Sequence, residues 1–221
     1  MRAFATIYKC SNCDSLIQGI DYWSGNTFGG ISYSDTYVKA GMKMPDTASY
    51  IGCANCNNAF VKKDLQIIKQ YKEEEFNKEE YEKALKPLSS FNTLKIILED
   101  SKFKKEENRK AFTLWYLHGF NHEIKLEQKQ EEINNGNYKK YTDELIKILD
   151  SEIDNVNSQV LKAEILRERG EFNEADKMLN YIDKSKFTTR RIQYVFEEMK
   201  KRIVRKDSAV FEADEKPDFI K

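Results

Sequence analysis

The sequence predicts an α+β protein in which a small antiparallel β module precedes an all-α region. All four cysteines and six of the nine glycines of the 221-residue chain lie in its first 60 residues, which contain no glutamate. Beyond them the chain is rich in Glu, Lys and Leu, which favour helices, whereas Gly, Asn and aromatic residues mark turns and strands. The predicted parts are the β module at 1–62, a helical domain at 63–206 and an acidic, flexible tail at 207–221.

The charge and hydropathy of the chain limit the classes of protein to which it can belong. Lysine plus arginine number 37, as do aspartate plus glutamate, and the first 60 residues carry four of each sign. A neutral domain lacks the field that attracts nucleic acid or an anionic membrane. No apolar run reaches the roughly 18 residues of a membrane span or resembles a signal-peptide core. We therefore expect a folded cytoplasmic protein with neither a nucleic-acid nor a membrane partner.

The cysteines form two CxxC pairs, with 39 residues between them. Each pair can present two sulfur donors to one side of an ion, so two pairs complete a tetrahedral shell. The residue after such a pair often has a left-handed backbone, which Gly, then Asn or Asp, adopts most easily. Asp14 and Asn57 occupy these positions. The pattern predicts structural zinc bound by all four cysteines: Cys10, Cys13, Cys53 and Cys56.

Two other interpretations of the cysteines stay open. Iron accepts the same tetrahedral thiolate ligands. Two disulfides, or redox-active dithiols, are the remaining alternative, although a reducing cytosol disfavours disulfides. A redox centre would favour one reactive CxxC at the start of a helix rather than two matching pairs. The spacing therefore favours structural zinc.

The segment between the pairs has the composition of short strands, predicted at Ser15–Tyr22, Ile31–Lys39 and Ala48–Gly52. Turn-rich stretches separate them, at Ser24–Gly30 and Met44–Asp46. Two CxxC turns (here called knuckles) bridged by a small antiparallel sheet make a zinc ribbon. A module of this size buries little core, so a metal ion would stabilise it.

The helical region contains a pattern typical of tetratricopeptide repeats. The predicted helices Val156–Arg169 and Phe172–Ile182 carry the small and apolar residues of that repeat, with Gly170 in the left-handed turn between them. A shift of 34 residues, the period of the repeat, places Gly136 on Gly170, but Tyr141 replaces a small alanine. The repeat positions are Ala163, Leu166, Gly170, Phe172, Ala175, Leu179 and Ile182.

Further helices are predicted from apolar periodicity. Stacked helix pairs present grooves that bind peptides or other proteins, so we expect a protein or peptide partner on the helical surface. Self-association into a homodimer stays open. The predicted helices are Glu79–Lys86, Ser90–Asp100, Glu106–His122, Lys125–Ile133 and Thr188–Lys206.

The N-terminal motifs resemble those of a set of uncharacterised bacterial proteins with an N-terminal zinc ribbon and a C-terminal tetratricopeptide-like region. The resemblance is carried by the knuckles, by Ser24–Phe28 with Gly29, by Tyr33–Asp35 and by Met44–Asp46. It implies that the four cysteines are metal ligands and implies no reaction. Those proteins have Gly where Thr36 stands here, and Pro where Ser11 and Ala54 follow the first cysteine of each knuckle.

Other candidate sites have simpler interpretations. His118 and His122 share a helix face, but the HExxH pattern is absent, so packing or hydrogen bonding is expected. The glycines of Ser24–Gly30 match no phosphate-binding loop. The basic segment Lys184–Lys206 is interpreted as a solvated face, over which the acidic tail folds, rather than as a phosphate-contacting helix.

The predicted function is a non-enzymatic, zinc-binding interaction module or scaffold. No catalytic residue is predicted, since nothing in the sequence brings two of its turn aspartates, Asp21, Asp35 and Asp46, together. One alternative is a nucleic-acid-binding ribbon that stacks bases on exposed aromatic side chains. A thiol redox or metal-sensing protein is the other alternative. The aromatic candidates are Tyr22, Trp23, Tyr33 and Tyr37.

Overall fold

The fold is mixed α+β, with short antiparallel strands near the N-terminus and helices in the rest of the chain. The computed structural model describes residues 2–103 and 106–213. The chain divides into two compact units: one holds the residues up to Phe28 and Gly41–Leu126, the other Gly29–Ala40 and the chain from Glu127 onward. The strands are β1 (Arg2–Lys9), β2 (Leu16–Ser24), β3 (Ile31–Ser32), β4 (Val38–Lys39), β5 (Tyr50–Cys53), β6 (Asn58–Val61) and β7 (Gln66–Gln70).

The main sheet of the first unit has the strand order β2-β1-β7, and both pairings are antiparallel. Strand β1 is central and is buried on both faces, at Thr6, Ile7 and Tyr8. Strands β5 and β6 form a separate hairpin in which Cys53 pairs with Asn58. Neither β1 nor β7 is among the strands predicted from the sequence, although the β-branched and aromatic residues of β1 favour a strand.

Three helices pack in the same unit as these strands: α1 (Lys78–Glu82), α2 (Ser90–Glu99) and α3 (Glu106–His118), which continues as one π-helical turn to Glu123. The predicted helix Glu79–Lys86 ends early, at Glu82, because Leu85 instead forms a β-bridge with Ile17 of β2. The compact units therefore do not follow the composition change near residue 62. A small sheet buries its apolar face by packing against helices.

The second unit contains the remaining helices, α4 (Leu126–Asn134), α5 (Asn137–Asp150), α6 (Val156–Glu168), α7 (Phe172–Tyr181) and α8 (Arg190–Val204). Gly136 and Gly170 separate consecutive helices and have left-handed backbones, with φ values of 72° and 76°. The predicted left-handed turn at Gly170 is confirmed. The core of this unit comprises Val156, Val160, Ala163, Leu179, Ile182, Ile192, Val195, Phe196, Met199, Phe211 and Ala213.

Residues 207–213, predicted to belong to a flexible tail, are packed within the second unit. Phe211 and Ala213 are buried, and Ala213 N donates to Ser32 O over 2.7 Å, which aligns this segment with β3. The buried guanidinium of Arg167 donates to the main-chain oxygens of Asp207 and Ala209. The apolar side chains of this segment account for the packing, although the composition of residues 207–221 is acidic. Residues 214–221 lie outside the described part of the chain.

Candidate metal centre

The first knuckle connects β1 to β2. Cys10 N donates to Ser15 O over 2.9 Å, and Asp14 N donates to Cys10 O over 3.0 Å. Asp14 has a φ of 58°, the left-handed conformation predicted for this position. The reversal turns the Cys10 and Cys13 side chains toward the same side of the loop.

The second knuckle connects β5 to β6 and repeats this geometry. Asn57 N donates to Cys53 O over 2.9 Å, as Asp14 N does to Cys10 O. The φ of Asn57 is 54°, again as predicted. Two hairpins far apart in sequence thus present equivalent turns, each ending in a left-handed Asp or Asn.

The two knuckles face each other, and all four Sγ atoms lie within 4.8 Å of one another. The Cys10 and Cys56 sulfurs are 3.6 Å apart, and those of Cys13 and Cys53 are 3.7 Å apart. A disulfide requires about 2.0 Å, so the cysteines are free thiols. With metal–sulfur distances of about 2.3 Å, a regular tetrahedron has edges of about 3.8 Å. The arrangement therefore fits a tetrahedral ion bound between the knuckles.

Each knuckle contributes one buried and one half-buried sulfur. Burial raises the pKa of the Cys10 thiol to about 12 and also raises that of Cys53. Hydrogen bonding from Ser15 lowers the pKa of Cys13 to about 6. At Cys56 burial favours a higher pKa, but hydrogen bonds from Asn58 and Asn12 outweigh this effect, so the pKa is lowered. The outer thiols thus form thiolates, the metal-binding form, more readily than the inner ones.

Polar residues beside the cysteines connect the two knuckles and are not among the site residues predicted from the sequence. The Ser15 hydroxyl lies 3.4 Å from Cys13 Sγ and accepts a hydrogen bond from Asn55 Nδ2 over 3.1 Å. Asn55 lies inside the second CxxC, so this bond crosses from one knuckle to the other. Partners of this kind orient metal ligands and tune their basicity. Two sequence features could have indicated these partners: the polar residue Asn55 within the second CxxC pair, and Ser15, two residues after the first pair.

The histidines do not join a metal site. In the described residues, the four cysteines are the one group of three or more His, Cys, Asp or Glu whose ligand atoms converge. His118 is buried, and its Nδ1 lies 3.2 Å from Asp46 Oδ2. Lys43 Nζ pairs with the other oxygen of this carboxylate over 2.9 Å. The predicted hydrogen-bonding role of His118 is confirmed.

The other aspartates considered in the sequence have structural partners. Asp21 accepts hydrogen bonds from Tyr8 and Thr6, and burial together with this carboxylate raises the pKa of Tyr8. Asp35 is fully buried and accepts from Tyr37 N over 3.1 Å. Neither contact pairs two carboxylates for acid–base chemistry.

The glycine-rich stretch and the basic segment also have structural roles. Ser24–Gly30 spans the turn between β2 and β3, and Gly29 has a φ of 68°. Several cations of the basic segment form ion pairs: Lys184, before α8, pairs with Glu197, and Arg202 of α8 pairs with both Glu198 and Asp207. The ion pair to Asp207 brings the start of the predicted acidic tail against this helix.

Comparison with known proteins provides no family for this chain. A scan against models of protein families, a search of curated proteins and a search of solved structures each found no match. In the described residues, no helix is both long enough and apolar enough to cross a membrane. The fold and the site define an α+β protein with a four-cysteine centre that could hold a metal ion.

Proposed function

We propose that this protein is a non-enzymatic, zinc-binding interaction module, in which zinc stabilises a ribbon of two knuckles and the tetratricopeptide-like helices bind a protein partner. The convergence of four cysteine sulfurs from two matching turns is the observation that carries the proposal. Four thiolates complete a tetrahedral shell, which is typical of structural zinc sites. The place of action is the cytoplasm, where reduced thiols persist.

Metal analysis of the purified full-length chain tests the zinc centre. We expect one equivalent of zinc, four thiols protected from a thiol reagent, and exposure of all four after chelation. Cys13→Ser removes one ligand and should abolish stoichiometric zinc, whereas Ser11→Ala, in the same knuckle, should retain it. Bound iron would change the metal assignment, and four freely reactive thiols in the untreated protein would contradict the proposal.

The second unit offers a concave surface for the partner. A cavity of about 220 Å³ lies among the β3–β4 hairpin, α6 and α8. Its volume exceeds the roughly 150 Å³ that accommodates a benzene ring, so one large apolar side chain can enter. The apolar wall includes Val160, Leu161 and Val195, and Arg191 supplies a cation. We infer that it receives an apolar side chain of a peptide segment that carries a neighbouring acidic group.

Charge reversal at neighbouring arginines tests this surface. Both Arg190 and Arg191 are exposed on the first turn of α8, but Arg191 is the one that lines the cavity. Arg191→Glu should weaken binding of a captured acidic-apolar peptide about tenfold, while Arg190→Glu, which makes the same charge change, should have little effect. Equal effects of the two variants would contradict a partner seated in the cavity.

A further inference from the structure

The part of the chain that the structure describes ends at a wall of the cavity beside Arg191, here called the partner cavity. Ala213 is fully buried and is one of the residues that line this cavity. Its N–H donates to Ser32 O over 2.7 Å, and the residue before it forms an antiparallel bridge with the residue after Ser32. The segment therefore runs along β3 to the cavity wall, from which residues 214–221 continue.

The sequence of residues 214–221 contains the two chemical groups that the partner cavity favours. Asp218 supplies a carboxylate, and the next two residues, Phe219 and Ile220, are apolar. The cavity volume of about 220 Å³ accommodates the ring of Phe219, since about 150 Å³ holds benzene. Among the described residues that line the cavity, Arg191 is the one with a charged side chain. An acidic group beside an aromatic ring therefore complements both the charge and the apolar wall.

The segment is long enough to return to the cavity. Five residues separate Ala213 from Phe219, and the connection between them spans up to about 20 Å when it is extended. Proline has a fixed φ that suits the second position of a β-turn. Because Pro217 holds that position between Lys216 and Phe219, the sequence favours a reversal of chain direction. Such a turn would bring Phe219 back toward the wall formed by Ala213.

We propose that residues 214–221 occupy the partner cavity and act as an internal competitor of the partner. In this contact, Phe219 enters the apolar part of the cavity and Asp218 lies beside Arg191. The proposal rests on the proposed function, because it assigns a form of regulation to the same cavity. The partner then gains access to the cavity only when it displaces the segment.

Attachment to the same chain strengthens this contact. Asp207 pairs with Arg202 over 2.6 Å, and Ala213 is hydrogen-bonded to β3, so only the residues after Ala213 act as the linker. A short linker gives an effective concentration in the millimolar range. Even if the separate segment has a dissociation constant of about 0.1 mM, the attached segment fills the cavity about ten times as often as it leaves it empty. The partner concentration needed for half-saturation then rises about tenfold.

Cleavage by chymotrypsin after Phe219 in the metal-loaded full-length chain tests the contact without a partner. A synthetic peptide of residues 214–221 gives the cleavage rate of the unbound sequence. We expect cleavage in the protein to be about tenfold slower, as the occupancy of the cavity implies. A chromogenic substrate added to both reactions checks that the protease is equally active. Equal cleavage rates in the protein and the peptide would overturn the proposal.

Matched variants connect this protection to the cavity. Arg191→Glu should remove most of the protection, whereas Arg190→Glu, at an exposed position that does not line the cavity, should keep it. Asp218→Asn, compared with a peptide that carries the same change, should reduce the protection several-fold and keeps the test valid if Arg191→Glu does not fold. Full protection in both Arg191→Glu and Asp218→Asn would overturn the assignment to this cavity. Protection that disappears when the protein is diluted would assign the contact to a second copy and overturn the internal one.

Binding of a fluorescently labelled peptide of residues 214–221 separates this proposal from the proposed function. Phe219→Ala in the full-length chain opens the cavity, so this variant should bind the peptide about tenfold more tightly than the wild type, and Lys221→Ala should match the wild type. Equal affinities in wild type and Phe219→Ala would overturn the internal competition alone. The captured partner peptide should also bind Phe219→Ala more tightly. Its failure to bind that variant, with Phe219 protected in the wild type, would contradict only the partner site.

Discussion

Asp14 and Asn57 occupy equivalent positions in the two knuckles and share a left-handed backbone, with φ values of 58° and 54°. Each donates its main-chain N–H to the oxygen of the first cysteine in its pair. The correspondence arises because four residues must reverse direction and present two sulfurs to the same side. The same turn conformation occurs in both knuckles and orients the four sulfurs toward one another between the two hairpins.

The left-handed residue of the second knuckle provides a stability test. A left-handed backbone costs most L-residues about 1–2 kcal/mol, costs asparagine less and costs glycine little. Asn57→Ala should therefore lower the free energy of unfolding of the metal-loaded protein by about 1 kcal/mol, and Asn57→Gly should preserve or raise it. Urea denaturation measures the difference. The two variants differ by one methyl group, so equal stabilities would contradict backbone strain at this position.

Thr36 carries a similar strain in the second unit. It has a φ of 71°, although it is β-branched, and its N–H donates to Tyr33 O within the β3–β4 turn. This positive φ is a geometry that suits glycine better than a β-branched residue. Thr36→Gly should raise the free energy of unfolding by about 1 kcal/mol.

Thr27→Gly is the control for this substitution, because Thr27 is exposed and its φ is not positive. Glycine at such a position should lower stability by up to about 1 kcal/mol, since it adds freedom to the unfolded chain. Chemical denaturation of both variants measures the contrast. A loss of stability in Thr36→Gly as large as that in Thr27→Gly would contradict the prediction.

The buried ion pair between Arg167 and Glu164 holds the segment after α8. Both side chains are fully buried, with Arg167 Nη2 2.7 Å from Glu164 Oε1. Arg167→Met would leave a buried carboxylate and two main-chain oxygens, of Asp207 and Ala209, without their donor. Breaking one side of a buried pair costs about 3–5 kcal/mol. We expect a loss of that size in denaturant unfolding, together with faster proteolysis after residue 206.

Two comparisons identify the cause of that loss. Glu164→Gln added to Arg167→Met should recover part of it, because the uncompensated charge is removed. Lys139→Met breaks an exposed pair with Asp143 and should cost less than about 1 kcal/mol. A cost for Arg167→Met no larger than that for Lys139→Met would show that the buried pair contributes little.

The contact between Asp46 and His118 predicts a dependence on pH. Burial favours a higher pKa for Asp46, but His118 and Lys43 outweigh it, so the pKa of Asp46 is lowered. The pKa of the nearby Glu123 is raised by burial and by the negative charge of Asp46. A carboxyl with a lowered folded-state pKa stabilises the fold above its unfolded pKa of about 3.9. That stability is lost as the pH falls through the folded value.

Asp46→Asn should therefore lower stability at neutral pH by about 1 kcal/mol and move the acid-unfolding midpoint to higher pH. Circular dichroism during acid titration measures both the midpoint and its shift. Asp64→Asn, at an exposed position, is the control and should leave the midpoint unchanged. An unchanged midpoint in Asp46→Asn would show that the contact does not stabilise the folded protein.

The parts of the fold predicted most closely from sequence were local. The left-handed residues Asp14, Asn57 and Gly170 follow from a turn of a few residues, and α2 was predicted within one residue of its observed end. The early stop of α1 was not predictable in this way, because Leu85 pairs with Ile17, which is distant in sequence. Long-range pairing overrode local helix propensity there.

The sequence alone predicts two cysteine turns with matching chemistry, the change from strands to helices and the glycine turns between helices, because each depends on residues close together in the chain. The folded structure was needed to show that the four sulfurs converge and that residues 207–213 pack against Arg167. These features join segments separated by tens of residues. Their contacts arise from how the chain buries its apolar surface, a property of the folded unit as a whole.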